Sequence, residues 1–359
     1  MTADVRAIAF YLPQFHPIPE NDRWWGAGFT EWRNVVQARP NFAGHYQPRL
    51  PADLGFYDLR VAETREAQAA LARACGIHAF CYYRYWFSGR QLLERPLREV
   101  VASGQPDFPF CVCWANEHWT RRWDGLDQAI LVEQRYRDED ALLFIRDLLP
   151  ILRDARYVRV NGCPLVLVYC PSAIPDPAHW ADVWRREAQR DGHADLHLAL
   201  VQSVNQQEMD PRAIGFDSAV EFPPHWTRSN ELTPALAQRR PGFRGAVLDY
   251  VSCAQSALAR ERPAYRLFRG VMPGWDNTPR GQDTSRCFVN AEPANYARWL
   301  GGVVAQTRAW RAGDERLVFI NAWNEWAEGC YLEPDLHYGH AFLEATAQGL
   351  GLPLPQRPG

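Results

Sequence analysis

The stretch Leu317-Val-Phe-Ile-Asn-Ala-Trp-Asn-Glu-Trp-Ala-Glu-Gly329 begins as an apolar strand and ends in two acids set between and beside tryptophans. A core strand has no use for Asn321, Asn324, Glu325 and Glu328 at its C-terminal end, because unpaired polar groups there cost free energy. Acids beside indole rings suit sugar chemistry. An aromatic face stacks on the C–H face of a pyranose, while one carboxyl acts on the leaving oxygen and the other on the reacting sugar. The competing reading is a helix N-cap or surface turn that happens to carry acids. The rest of the chain decides between the two.

Short apolar runs of strand length recur along the chain at Val5–Leu12, Ile77–Tyr83, Phe108–Trp114, Pro164–Tyr169, Leu196–Gln202, Ser218–Phe222, Leu267–Met272 and Leu317–Ala322. Between them lie stretches with helical spacing: Ala62–Cys75, Leu92–Ser103, Glu139–Arg153, Ala181–Arg190, Tyr250–Arg260 and Ala294–Ala312. Strand and helix in eightfold alternation predict an α/β fold, a single (β/α)8 TIM barrel. An open doubly wound sheet competes, but no Gly-x-Gly-x-x-Gly follows the first strand. The expected organisation is one barrel domain over residues 1–350 and a loose Pro-rich tail from Gly351 to Gly359.

Barrel enzymes collect their chemistry at the C-terminal ends of the strands, and these ends are rich in polar and aromatic residues. The first strand leads into Tyr11, Gln14 and His16, the second into Tyr83, Tyr85 and Trp86, and the third into Trp114, Asn116 and Glu117. Later ends supply Tyr169, Gln202, Glu221 with His225, Trp275 with Asp276, and finally Asn324, Glu325, Trp326 and Glu328. Together they predict a cleft of hydrogen-bond partners and aromatic platforms, the profile of a sugar site. The long insert Asn21–Pro51, carrying Trp24, Trp25, Phe29, Trp32 and Tyr46, reads as a βα loop over the active face rather than a helix. It is expected to wall the sugar subsites, Trp25 among them; a small core beneath a long loop is the alternative.

Competing readings attend several of these residues. Glu117 stands where many barrel glycosidases place an acid. Glu221 can hold a sugar hydroxyl or pair with an arginine such as Arg84, and Trp275-Asp276 reads as a platform with a hydroxyl acceptor or as a turn over a buried indole. His16, His118, His225 and His337 lack metal-ligand spacing, and Cys111-Val-Cys113 lacks a second cluster, so neither a metal nor another cofactor is expected.

With 359 residues, 47% hydrophobic and 23% charged, the chain has the composition of a globular protein with a sizeable core. A formal charge of −3 without a Lys/Arg run argues against a nucleic-acid partner. Fifteen Trp, 14 Tyr and 17 Phe, many beside polar residues, favour a polysaccharide or oligosaccharide partner. The nine cysteines form no disulfide framework, and Cys81, Cys111, Cys113, Cys163 and Cys170 read as buried free thiols. No export signal and no long apolar run is seen, so no membrane insertion is expected. The expected location is cytoplasmic unless the chain is a piece of a larger exported protein.

Tyr11-Leu-Pro-Gln-Phe-His16, Asn21-Asp-x-Trp-Trp-Gly-x-Gly-Phe-Thr-Glu-Trp32, Pro48-Arg-Leu-Pro51, Trp114-Ala-Asn-Glu117 and Asn324-Glu-Trp-Ala-Glu-Gly329 resemble the WbsX-type proteins of surface-polysaccharide gene clusters. The resemblance covers Ala7 to about His340, and the group is similar to glycoside hydrolase family 99, metal-independent endo-α-mannosidases with a (β/α)8 barrel. It implies that Glu325 is the base that takes the proton of the substrate 2-hydroxyl, and that Glu328 is the general acid and then base. Retention would pass through a 1,2-anhydro sugar, which suits α-manno and α-rhamno units, and Trp326 and the second carboxylate would raise the acid's pKa. Ala327 departs from the His of the hydrolases, so substrate contacts are expected to differ. A glycosyltransferase of O-antigen or capsule assembly is the alternative; no Asp-x-Asp motif or second Rossmann-like half supports it. A non-catalytic glycan-binding barrel is the third reading, opposed by the intact Glu pair.

Overall fold

Eight parallel strands close on themselves in the computed structural model, which describes residues 4–121, 126–203, 209–225, 227–236 and 238–355. They are β1 (Arg6–Tyr11), β2 (Ile77–Phe87), β3 (Phe110–Trp114), β4 (Cys163–Val168), β5 (His197–Gln202), β6 (Ser218–Glu221), β7 (Leu267–Val271) and β8 (Leu317–Ile320). Each pairs with its neighbours in chain order, and β1 closes the ring against β8 with Arg6 opposite Leu317 and Ile8 opposite Phe319. The near-continuous apolar strands are buried on both faces, as a parallel sheet covered by helices requires. The expected (β/α)8 barrel is therefore the fold. Gly270 in β7 permits its closure: a Cβ there would stand 2.3 Å from the Glu221 carbonyl oxygen of β6.

The insert after β1 contains the helices α1 (Pro19–Trp25) and α2 (Trp32–Gln37), and α3 (Ala62–Ala74) leads to β2. Around the rest of the barrel run α4 (Arg95–Ser103), α5 (Asp140–Leu152), α6 (Pro177–Arg190), α7 (Tyr250–Leu258), the single turn α8 (Thr278–Gly281), α9 (Pro293–Trp310) and α10 (Ala341–Leu350). One expectation needs correction. Asn21–Pro51 is not free of helix, since Pro19 at the first turn of α1 supplies the fixed φ that starts one. Between β5 and β6 the described residues hold the 3-10 turn Pro211–Ile214.

The barrel's outer layer is aromatic. Trp114 stacks on Phe144 of α5 at 4.4 Å and on Trp180 of α6 at 5.7 Å, with Trp86 and Trp184 closing the cluster. None of the nine cysteines is in a disulfide; Cys163 and Cys170 are half-buried rather than buried, because each sits at a strand end. Among the described residues no helix is long and apolar enough to cross a membrane. Residues 356–359 of the expected tail lie outside the described residues.

Candidate active site

A cavity of about 320 Å³ opens at the C-terminal mouth of the barrel, within the range typical of ligand pockets. Strand alternation chooses its walls. Tyr83 and Tyr85 share one face of β2 and line the cavity, while Tyr82 and Trp86 fall on the opposite face. Glu117 beyond β3, Tyr169 beyond β4, His225 beyond β6 and Trp275 beyond β7 complete the predicted residues that reach it, together with Glu325 and Glu328.

The segment after β8 presents the two acids through a small hairpin. Asn324–Glu325 pairs antiparallel with Cys330–Tyr331, and the 3-10 turn Trp326–Glu328 forms its tip. Gly329 closes that turn at φ 56°, where a Cβ would stand 2.8 Å from the Asp276 Cβ, so only glycine fits without a shift. Two side chains lock the frame. Asn324 Oδ1 accepts from the Leu12 backbone N–H at 2.7 Å while its Nδ2 donates to the Leu12 carbonyl at 3.0 Å. Trp326 stacks on Tyr331 at 3.8 Å, and its Nε1 donates to Glu333 at 2.6 Å. Both are therefore buried supports, with no surface in the cavity, and Glu325 and Glu328 face it between them.

The electrostatics centre on Arg280, carried by α8. Its Nη2 lies 2.9 Å from Glu31 and 3.3 Å from Glu325, and its Nη1 donates to Glu328 Oε1. Trp275 Nε1 donates to the other Glu328 oxygen at 3.2 Å. Burial pushes the Glu325 carboxyl well above the ordinary carboxylate range, the Glu328 charge pushes it further, and Arg280 pulls it partly back. Burial likewise raises Glu31 to about 7 against the pull of Arg280. Burial alone would lower Arg280, but the charges of Glu31, Glu328 and Glu325 hold its pKa above the usual value. Tyr83 and Tyr85 are held protonated by burial and by the nearby Glu325.

The other predicted residues stand away from the cavity, each for a local reason. Tyr11 donates to Gln68 of α3 at 2.7 Å, and Trp86 and Trp114 lie under the outer helices. Asn116 brackets the β4 end, its Nδ2 donating to the Cys170 carbonyl at 2.7 Å and its Oδ1 accepting from the Cys170 N–H at 2.7 Å. Gln202 links Tyr265 and Arg260. The expected alternative partner of Glu221, Arg84, pairs instead with Asp147; Glu221 is held by Arg269 at 2.7 Å and Arg260 at 2.9 Å. Trp25 and Trp24 pack against Phe87, Leu92 and Trp119 in a satellite core, and Phe29 stacks on Trp25. Gln14 and His16 are buried with their polar atoms unpartnered among the described residues, and burial lowers His16 to about 4.

Asp276 anchors the insert rather than facing the cavity. Its Oδ2 receives His45 Nε2 and Gln47 Nε2, both at 2.8 Å, with Arg49 at 3.5 Å. His45 Nδ1 accepts from the Asn41 N–H at 3.0 Å, which assigns the proton to Nε2. His45, Asp276 and Cys287 form the group with metal-ligand proximity among the described residues, different from the histidines weighed above. The His45 and Asp276 donor atoms already have partners, and the Arg49 charge stands beside the carboxylate, so these residues fit a loop anchor better than a cation site.

Arg280 and Glu31 were not singled out in the sequence. Glu31 sits in the quoted Phe-Thr-Glu-Trp run, yet it stands 249 positions from its arginine, a separation that leaves no spacing signal. Ser203, Phe222, His118, Thr120 and Cys170 also line the mouth.

Acids and aromatic rings gather at the C-terminal mouth of a parallel eight-stranded (β/α)8 barrel, the end at which barrels of this class carry their sites. The chain belongs to the family described as glycosyltransferase WbsX, whose model matches residues 7–346. An uncharacterized protein WxcX of Xanthomonas campestris pv. campestris is 48% identical over 349 residues, covering 97% of this chain and 50% of the relative. The chain thus spans about half the length of the curated relatives it matches. Among solved structures, a glycoside hydrolase-like protein aligns with a TM-score of 0.61 at 14% identity, over 97% of this chain and 94% of the other. The GH99 endo-alpha-mannosidase from Bacteroides thetaiotaomicron aligns with a TM-score of 0.59 at 15% identity, over 98% of both chains. These two likenesses concern the fold.

Proposed function

We propose that this protein is a glycoside hydrolase that cuts within a polysaccharide at α-linked mannose- or rhamnose-like units with retention of configuration. The observation that carries the reading is the pair Glu325 and Glu328 lining one cavity between tyrosine and tryptophan walls, with Arg280 bridging both. The barrel shared with an endo-alpha-mannosidase supports it.

In the first step one carboxylate takes the 2-hydroxyl proton as O2 attacks C1, and the other carboxyl gives its proton to the departing oxygen as the C1–O bond breaks. Water then opens the anhydro ring at C1, losing a proton to the second group while the first returns its proton to O2. One proton shared between two carboxyls balances both steps. The resemblance makes Glu325 the base; in the free protein its burial, deeper than that of Glu328, and the neighbouring Glu328 charge raise its carboxyl above the ordinary range. The role of base requires Glu325 to be ionised when the glycan is bound, and Arg280 is the group that draws it that way.

A transferase reading follows from the family description. Incubation with mannose- and rhamnose-containing polysaccharides, followed by proton NMR of the first-formed anomer, separates the two. New α reducing ends are expected; β ends first would end the retaining account, and nucleotide-sugar binding without cleavage would favour transfer.

A further inference from the structure

We propose that Arg280, seated by Glu31 of the insert, is the positioning residue of the Glu325–Glu328 pair: its guanidinium fork fixes the two carboxyls against each other and sets how they share a proton. The inference rests on the hydrolase reading, since it assigns a task within that site. It goes beyond the paired acids by making the insert part of their chemistry.

The geometry is that of a clamp. Nη1 takes Glu328, whereas Nη2 is divided between Glu31 at 2.9 Å and Glu325 at 3.3 Å, so the planar group spans two carboxyls of the hairpin and one of the insert. Glu31 is fully buried, and its Oε1 has no partner among the described residues. A carboxyl with one oxygen on the guanidinium and the other dry is poor as a solvent-facing anchor but suited to holding a cation in place. Two hydrogen bonds aim Arg280. Asp276 Oδ1 accepts from the Thr278 N–H at 3.0 Å, which starts the α8 turn, and the Asp276 N–H donates to the Glu328 carbonyl at 2.5 Å. The α8 turn and the hairpin tip are thereby tied at their backbones, and the fork is carried to the acids.

Three carboxyls around one guanidinium would leave two uncompensated negative charges in a buried site if all were ionised, so the cluster retains a proton. The groups facing Glu325 are Tyr83 and Tyr85 from β2, Cys330 across the hairpin, Glu328 on the same turn, Glu31 from the insert and Arg280. Of these only Arg280 is cationic. Arg280 draws Glu325 toward ionisation and Glu31 opposes it. Replacing the two therefore has opposite consequences, which a purely structural role would not produce.

The test is a pH titration by carbon-13 NMR of the glutamate carboxyls in the whole chain, with no glycan present. Signals are assigned from Glu325→Gln and Glu328→Gln, and folding is checked by circular dichroism. Arg280→Gln should raise the higher apparent midpoint of the pair by roughly one unit or more. Arg280→Lys, which keeps the charge but loses the fork, should raise it less, and Glu31→Gln should lower it. Should Arg280→Gln fail to fold, Arg280→Lys and Glu31→Gln still give shifts of opposite sign. Unchanged midpoints, or shifts of the same sign, would overturn the proposal. Because no substrate enters the titration, its failure is distinct from a failure to cleave glycans.

Discussion

The Glu333 carboxyl is buried beneath the turn that carries Glu325 and Glu328, and receives Tyr57, Gln68 and Trp326, which holds the Trp326 ring in place. Burial outweighs those donors and raises its pKa from 4.5 to about 7. The folded state therefore keeps a proton that the unfolded chain releases. The sign follows from linkage: the stabilisation is fully present below pH 4.5 and is lost as pH rises to about 7. Glu333→Gln should flatten that loss by on the order of 3 kcal/mol, read as denaturant unfolding at the two ends of the window. An equally steep pH dependence in the variant would count against the assignment. At this scale the sequence was legible by residue type but not by direction. Tyr83, Tyr85, Trp86 and Trp114 all stand at strand ends, yet alternation sends the first two into the cavity and the others beneath α5 and α6. Counting parity along β2 outward from Tyr83 would have separated Tyr85 from Trp86. No such count reveals that Glu221 meets Arg269 and Arg260, whose partnership is made by neighbouring strands and a helix end.

Among the elements, the insert between β1 and α3 departs furthest from what its sequence suggests. Its aromatic residues read as a sugar wall, but Trp24 and Trp25 pack into a satellite core and Trp32 packs on Phe15 and Trp326. Its polar residues come nearest the chemistry. Glu31 reaches Arg280, while His45, Gln47 and Arg49 converge on Asp276, whose carboxyl these partners hold below the ordinary range despite burial. Asp276→Ala should cost about 3–5 kcal/mol, the penalty for leaving a buried cation unpaired. It should also expose the Arg49–Leu50 bond, since the Arg49 side chain is only 14% exposed in the anchored insert. Limited trypsin digestion followed by mass spectrometry reads this: a new cut after Arg49 is expected, and an unchanged digest would show that the anchor is dispensable. The strands themselves were legible to within a few residues, because unbroken apolar runs mark parallel strands buried on both faces. The two short helices of the insert were not, since its aromatic density masked the Pro19 start and the short turn at Trp32.

For the molecule as a whole, the (β/α)8 alternation was readable because eight apolar strands leave closure as the way to bury every edge. Barrel closure then gathers residues from Glu31 to Glu328 around one mouth, a convergence that spacing along the chain does not display. The chain spans about half the length of its curated relatives, and the reaction we propose rests on the carboxylate pair that lines its cavity. The most direct measurement is release of reducing ends from mannose- and rhamnose-containing polysaccharides by the wild type beside Glu325→Gln and Glu328→Gln. The account predicts release by the wild type and at least a ~100-fold loss in each folded variant, the scale of an acid–base group removed. Undiminished release by both variants, or binding of a nucleotide sugar with no release by the wild type, would contradict it.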